Sequence, residues 1–347
     1  MMKEQAHDTP NIRNVTRKAI GVSEAELIKI EPLHSGDSLP LKILPSIDGV
    51  DLIAWAAHNQ ELIETQLLKY GAILFRNFNV KDVSKFEQFI KITSGELMEY
   101  CERSSPRSQV VGNIYTSTDY PANESIFLHN EHSYSQTFPL RLFFFCVKPA
   151  SQGGETPLAD CRKVFKCMNP SLRDRFIQKK WMYVRNFGDG FGLPWQTVFQ
   201  TADKKLVEDY CRRSNIELEW KDENRLRTRQ VRPVITRHPY TGEMIWFNHI
   251  IFFHVSTLKP TMREALLKEF RNEDLPNNTY YGDGSPIEPS VLDELRHIYE
   301  QEMVIFSWQQ GDILMLDNMQ TAHGRMPFIG SRKVLFAMAK SFTREDT

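Results

Sequence analysis

The sequence predicts a mainly β fold with flanking helices, and three observations carry this prediction. Short apolar runs rich in β-branched and aromatic side chains recur along the chain, at residues 72–76, 142–147 and 334–339. Residues 305–316 hold two further apolar runs around a turn with Gly311, which is typical of a hairpin. Apolar residues at helical spacing occur between these runs, so helices are expected to cover the sheets.

At the N-terminus, residues 1–40 are polar and irregular, and we expect them to form a mobile arm or to contribute to a lid. A helical pattern follows over residues 52–69 and leads into the first predicted strand. The next helix is predicted by four apolar residues at helical spacing, namely Val83, Phe86, Phe89 and Ile90. We interpret this stripe as core that packs against the sheet.

The middle of the chain is expected to be a helical insertion, covering about residues 160–300. A capping-box pattern at residues 261–264 and a proline at residue 289 predict that helices begin at these positions. The whole segment 41–347 is predicted to be a single domain, since β-barrel folds of this size with helical insertions are common.

Composition and charge exclude several classes of protein. The chain has 347 residues and a formal net charge of -1, with dispersed Lys and Arg, so it has no electrostatic footprint for nucleic acid or an anionic membrane. Its five cysteines form no C-x-x-C pair, which argues against a disulfide framework and a structural zinc site. There is no signal-peptide pattern and no long apolar run, so we expect a cytoplasmic enzyme.

The main chemical motif is His129-Asn130-Glu131, which a distant histidine, His323, complements. Side chains two residues apart on an extended segment point the same way, so His129 and Glu131 are expected to share one face of a strand. His323 can then close one face of a metal. Two imidazoles and one carboxylate leave three octahedral positions open, as in non-haem Fe(II) oxygenases.

Other histidines compete for this metal role. His132 adjoins Glu131, whereas His249 and His254 flank the apolar residues 250–253. The last two are therefore interpreted as core or pocket histidines.

A cation near the strand that follows His323 is expected to bind an anionic co-substrate through a forked contact, which suits arginine better than lysine. Arg332 begins that strand and is favoured, because rigid elements place ligands well. Arg325 is closer to His323, but it lies in a loop that contains Pro327.

The motifs occur in an order that resembles the TauD/TfdA superfamily of 2-oxoglutarate-dependent dioxygenases, and most closely its SyrP-like branch, found in nonribosomal peptide biosynthesis. The resemblance covers about residues 40–342 and rests on five segments, Leu128 to Glu131, Gly153 to Asp160, Trp246 to His249, Gly311 to Asn318 and His323 to Arg325. An ordered series of this kind is far more specific than one triplet.

This resemblance implies a double-stranded β-helix, or jelly roll, of the cupin-like kind, with helices outside it. It also implies that His129, Glu131 and His323 bind Fe(II), and that Thr156 and Arg332 bind the distal carboxylate of 2-oxoglutarate. Thr156 has an alternative role as a turn hydroxyl beside two glycines. Many members have Asp in place of Glu131, whereas the clavaminate-synthase-like members have Glu.

Some members carry a second arginine where this chain has Phe336, so no role transfers to that position.

The resemblance further implies hydroxylation of an aliphatic carbon of an amino acid, free or held on an aminoacyl carrier protein, in natural-product biosynthesis. The carboxylate of Glu131 argues against halogenation, since a halide needs its position. Candidate substrate contacts are Arg103 or Arg107 and the segment 246–249. The alternatives are a desaturase on the same iron site, a non-catalytic barrel with a binding role, and a zinc hydrolase, which an anion site at Arg332 disfavours.

Overall fold

The largest sheet of the described residues has eight strands. This computed structural model describes residues 27–33, 39–100, 102, 104 and 106–344. Strands and helices are numbered in chain order. In spatial order the sheet contains β1 (Ile28–Pro32), β2 (Leu41–Pro45), β3 (Ala72–Phe75), β17 (Ile313–Asp317), β7 (Thr137–Lys148), β20 (Lys333–Thr343), β5 (Ile114–Thr116) and β4 (Gln109–Val111). Strands β2 and β3 are parallel, and the other neighbours are antiparallel.

Two four-stranded antiparallel sheets accompany it. One consists of β16 (Met303–Val304), β9 (Leu158–Asp160), β18 (Thr321–Arg325) and β6 (Ile126–His129). The other consists of β11 (Glu217–Trp220), β12 (Leu226–Arg232), β10 (Trp181–Phe187) and β15 (Asn277–Tyr281). Two short ribbons pair β13 (Ile235–Arg237) with β14 (Met244–Trp246), and β19 (Phe328–Ile329) with β8 (Gln152–Gly153).

The helices are short. They are α1 (Leu52–His58), α2 (Gln60–Tyr70), α3 (Val83–Ser94), α4 (Cys161–Cys167), α5 (Pro170–Lys179), α6 (Trp195–Phe199), α7 (Lys204–Arg213), α8 (Ile250–Phe253), α9 (Pro260–Glu269) and α10 (Pro289–Gln301). Single 3-10 turns lie at Val255–Thr257 and Asn272–Asp274. Within the described ranges, no helix has the length and apolarity that a membrane crossing requires.

Strand β7 is buried on both faces, and this explains its continuous apolar sequence. Phe143 and Phe145 point to one side, where they pack with helices α1 to α3, and Phe86 stacks on Phe145 with 5.2 Å between ring centroids. Phe144 points to the other side and packs in a second cluster that includes Leu158 of β9. The eight-stranded sheet is therefore covered by helices on one face and by the sheet containing β6, β9 and β18 on the other.

Most predicted elements are confirmed, including β3, α3, α10 and β20. The predicted helix over residues 52–69 is instead two helices, α1 and α2. The chain breaks at Asn59, whose backbone is not helical and whose side-chain amide donates a hydrogen bond to the carbonyl of Trp55 at 2.9 Å. This polar side chain satisfies a carbonyl that a continuing helix would have used.

The predicted hairpin over residues 305–316 is wrong. Only its second half, β17, is a strand, and it pairs with β3 and β7. The first half is apolar because Phe306 and Trp308 are buried between the two facing sheets. The carbonyl of Ser307 accepts a hydrogen bond from the side chain of Arg76 at 2.7 Å instead of entering a ladder.

Three other expectations need correction. Strand β1 lies inside the segment 1–40, so residues 28–32 are not an irregular arm but an edge strand paired with β2; residues 1–26 and 34–38 lie outside the described residues. The insertion over residues 160–300 contains helices α4 to α10, but also the whole sheet formed by β10, β11, β12 and β15. Helix α9 begins at Pro260 without a side-chain cap, so the capping box is not formed.

Candidate functional site

His129 and His323 lie directly opposite each other on the paired strands β6 and β18. Their ring centroids are 4.5 Å apart, and both side chains are buried. The Nδ1 atom of His129 is 2.8 Å from the carbonyl oxygen of Phe127, a contact that holds the ring and leaves Nε2 for a ligand. Among the described residues, His323 Nδ1 has no hydrogen-bond partner.

Glu131 reaches the same place from a turn, not from the strand. Strand β6 ends at His129, and the chain turns at His132, where φ is 56°. Asn318 fixes this turn, since its Oδ1 accepts from the backbone N–H of Glu131 and its Nδ2 donates to the carbonyl of Glu131, both at 2.8 Å. The expectation that His129 and Glu131 share a strand face is therefore wrong, although the two side chains do converge.

The three side chains form a donor set suited to a metal. One ligand atom from each of His129, Glu131 and His323 lies within 4.8 Å of the others. Burial lowers the pKa of His129, and lowers that of His323 more strongly, so both imidazoles are neutral. Burial raises the pKa of Glu131, but the neighbouring Arg107, His132 and His129 together outweigh this effect and bring the pKa below its usual range. Neutral imidazoles and an ionised carboxylate are the forms that coordinate Fe(II), so the residues fit this metal.

Arg107 contacts this carboxylate directly. Its guanidinium donates a hydrogen bond to Oε2 of Glu131 at 2.8 Å and stacks 4.0 Å from the ring centroid of Phe336. The structure thus places this predicted substrate contact on Glu131, where it occupies one oxygen and leaves Oε1 for a metal. The other predicted arginine, Arg103, lies outside the described residues.

Arg332 lies just before β20 and lines the same cavity as His129 and His323. Its Nε donates to the carbonyl of Gly154 at 2.9 Å, and one terminal nitrogen donates to the hydroxyl of Ser117 at 3.2 Å. No carboxylate in the described part of the chain forms an ion pair with it. Burial, followed by the charge of Arg325, lowers its pKa to about 10, so it remains a cation at neutral pH.

Arg325 lines the cavity too, but its hydrogen bonds go elsewhere. Its two terminal nitrogens donate to the backbone carbonyls of Tyr120, Pro121 and Glu124 at 2.6 to 3.0 Å. These bonds hold the loop before β6. Arg332 is thus the better candidate for an incoming anion.

Thr156 is buried and lines this cavity as well. Its hydroxyl accepts a hydrogen bond from the indole N–H of Trp308 at 3.1 Å. The hydroxyl proton is left to donate to an incoming oxygen. The sequence analysis gave no role to Trp308 or Asn318. Trp308 lies in the predicted hairpin and Asn318 ends the motif segment Gly311 to Asn318, and these positions are their only signal in the sequence.

The competing histidines lie outside the donor set. His132 contacts Ser135, with 3.2 Å between Nδ1 and Oγ, and its Nε2 is 3.7 Å from Glu131. His249 pairs with the Ser133 hydroxyl and packs among aromatic rings. His254 lines a separate apolar pocket.

The segment 246–249, a predicted substrate contact, belongs to the core. Trp246 and His249 are buried, and Asn248 donates to the carbonyl of Val234 at 3.1 Å. None of these three lines the cavity at the candidate metal ligands or the apolar pocket beside it.

Comparison with known proteins identifies the family of this chain. The family described as "Taurine catabolism dioxygenase TauD, TfdA family" matches residues 29–338. The dapdiamide synthesis protein DdaC of Enterobacter agglomerans is 36% identical over 309 residues, which is 89% of this chain and 93% of DdaC. A clavaminate synthase-like protein of Arabidopsis thaliana is 28% identical over 288 residues, covering 80% of this chain and 84% of that protein.

Solved structures share the fold. The PvcB protein of Pseudomonas aeruginosa superposes with a TM-score of 0.56 at 15% identity, covering 92% of this chain and 93% of PvcB. The protein AAD-2, solved with Mn(II) and N-oxalylglycine, gives a TM-score of 0.52 at 13% identity, covering 90% and 96%.

The fold and the donor set define a non-haem iron dioxygenase that uses 2-oxoglutarate. The chain belongs to the TauD/TfdA family, as its motifs predicted. The match to DdaC also agrees with the predicted resemblance to the SyrP-like branch.

Proposed function

We propose that this enzyme hydroxylates an aliphatic carbon of an amino-acid unit, free or held on an aminoacyl carrier protein, in the biosynthesis of a natural product. The observation that carries the proposal is the convergence of the buried side chains of His129, Glu131 and His323. Two of them, His129 and His323, line one cavity with Arg332 and Thr156. The biosynthetic role is supported by DdaC, a dapdiamide synthesis protein that matches most of this chain.

In this proposal His129, Glu131 and His323 hold Fe(II), while Arg332 and Thr156 hold the distal carboxylate of 2-oxoglutarate. When bound, Fe(II), 2-oxoglutarate and O2 would supply the oxidation: one oxygen atom of O2 enters the C–OH group of the product, and the other enters succinate as 2-oxoglutarate loses CO2. The chain contributes orientation and exclusion of water, since all three candidate ligands are buried.

Glu131 supports hydroxylation over halogenation. Its carboxylate is held by Arg107 through Oε2, which leaves Oε1 for the metal, and its backbone is held by Asn318. A halide would need the coordination position that this oxygen fills. The intact set of three ligands also weighs against a non-catalytic barrel.

The finer description of the fold belongs to the same proposal. The eight-stranded sheet and the sheet of β6, β9, β16 and β18 face each other, and we assign them to a double-stranded β-helix in a single domain. We also assign the enzyme to the cytoplasm, which suits its four described cysteines, all of them free thiols.

The test is anaerobic addition of Fe(II) and then 2-oxoglutarate, followed by a screen of amino acids and aminoacyl carrier proteins for succinate release. A weak visible charge-transfer band is expected in the first step, and a product heavier by one oxygen atom in the second. His129→Ala serves as the control that should show no band. If the wild type showed no band with both additions, the assignment of the site would be wrong.

Desaturation is the second candidate, because it uses the same residues. It would appear in the same screen as a product lighter by two hydrogen atoms. The mass of the product therefore decides between the two reactions.

A further inference from the structure

A pocket of about 290 Å³ adjoins the candidate iron cavity. The two share Thr118 and Ile126 in their walls. Phe252, which lines the pocket, packs with its ring centroid 4.4 Å from that of His129. A molecule in this pocket would therefore lie beside a candidate iron ligand, which is where a substrate must place its reacting carbon.

The described lining of this pocket has no charged side chain. Its walls are mainly apolar and aromatic, with Phe127, Phe253, Val255 and Leu266 among them. The polar groups are neutral hydroxyls and the amide of Asn277. The ring of His254 is neutral as well, because burial lowers its pKa to about 4.

The charges beside the pocket do not line it. Asp119 is exposed and accepts hydrogen bonds from the hydroxyls of Ser108 and Thr116, whereas Lys259 and Glu124 are paired with each other. Lys259 follows Leu258, which lines one wall, and Glu124 precedes Ser125, which lines another. The Lys259 ammonium and the Glu124 carboxylate form an ion pair of 2.5 Å. Neither charge is left to receive the ammonium or the carboxylate of a substrate.

These features discriminate between forms of an amino-acid substrate. A free amino acid would carry an ammonium and a carboxylate into a pocket whose described walls offer no opposite charge, and unpaired buried charges are strongly unfavourable. An amino-acid unit whose amine is acylated and whose carboxyl is a thioester or an amide carries neither charge. Its apolar side chain would gain roughly fourfold in affinity for each CH₂ group buried.

We propose that the pocket binds the substrate as an uncharged, capped aminoacyl unit with an apolar side chain. This inference rests on the proposed function and specifies its substrate class. Two kinds of substrate have this chemistry, an acyl group without a free carboxylate. One is a thioester held on a carrier protein, and the other is a small amide.

The experiment measures binding to the enzyme loaded anaerobically with Fe(II) and 2-oxoglutarate, by the shift of the charge-transfer band and by equilibrium dialysis. The probes are N-acetyl-L-leucinamide, the N-acetylcysteamine thioester of N-acetyl-L-leucine, free L-leucine and L-aspartate. We expect the capped probes to bind at least about tenfold more tightly than free leucine, and aspartate to show no binding. Preference between the two capped probes identifies the source.

A pair of variants tests the location. Leu258→Asp places a charge in the partly buried wall and should weaken the capped probes about tenfold or more. Met262→Asp places the same charge on α9 at a side chain that is 52% exposed and does not line the pocket, and it should change nothing. If Leu258→Asp fails to fold, the comparison of capped and free probes on the wild-type enzyme still tests the inference.

Binding of free leucine or aspartate as tight as that of the capped probes would overturn the inference, and so would failure of both capped probes to bind. Either result, with the band present, leaves the dioxygenase assignment intact. Absence of the band before any probe is added would instead refute the proposed function.

Discussion

Replacement of Arg332 should raise the concentration of 2-oxoglutarate that the enzyme needs. The side chain is held by Gly154 and Ser117, so one terminal nitrogen is left for an incoming carboxylate, and its charge has no acidic partner among the described residues. A hydrogen bond to a charged group contributes ~1.5–3 kcal/mol, which corresponds to roughly 10- to 150-fold in affinity. Arg332→Gln should show this full loss, and Arg332→Lys a large part of it, because lysine lacks the planar fork.

The assay is an anaerobic titration of 2-oxoglutarate into the Fe(II)-loaded enzyme, in which binding is measured from the intensity of the charge-transfer band. Arg325→Lys is the matched control: this arginine lines the same cavity, but its terminal nitrogens bind backbone carbonyls. Its 2-oxoglutarate requirement should stay close to that of the wild type. An unchanged requirement in Arg332→Gln, with a raised one in Arg325→Lys, would transfer the role to Arg325 and refute the reasoning.

Three further results are expected. His129→Ala or His323→Ala should abolish iron binding, measured by equilibrium dialysis, with the circular dichroism melt retained; full iron binding by a folded variant would remove that residue from the ligand set. Arg107→Met should lower iron affinity roughly 10- to 100-fold, since it removes the partner that orients Glu131, and Arg107→Lys should recover part of the loss; equal affinities would leave Arg107 with no positioning role. Turnover in excess chloride should give a hydroxylated product by mass spectrometry, and chlorination by the wild type would contradict the argument from Glu131.

The parts of the site that could be predicted are those attached to strong local patterns. His129 and Arg332 lie at the end of β6 and just before β20, where apolar runs indicated strands, whereas no apolar run predicted β18, which carries His323. The structure brings all three side chains to one cavity. The supporting residues could not be predicted in this way. Asn318 contacts Glu131 across 187 positions of sequence, and Trp308 contacts Thr156 across 152. No local period encodes such pairs, because strand pairing and turns between distant segments create them.

The errors in the fold have a similar cause. An apolar run has the same appearance whether it is buried by a strand ladder, as in β17, or by side-chain packing alone, as at residues 305–308. Periodicity also failed at Glu131, because the chain leaves its strand after His129 and a positive φ at His132 redirects it. Burial is readable from composition, whereas the hydrogen-bond partner of the backbone depends on the tertiary structure.

The insertion begins after β9 and ends before β16. These two strands pair with each other, with Met303 opposite Ala159, so the two ends of the insertion lie side by side. Both ends of the insertion are therefore held by the pairing of β9 with β16. The three candidate iron ligands lie outside the insertion, whereas Phe252, Val255 and Leu266 of the apolar pocket lie within it. Changes in the insertion would therefore alter these walls of the pocket, whereas the strands that carry His129 and His323 lie outside it.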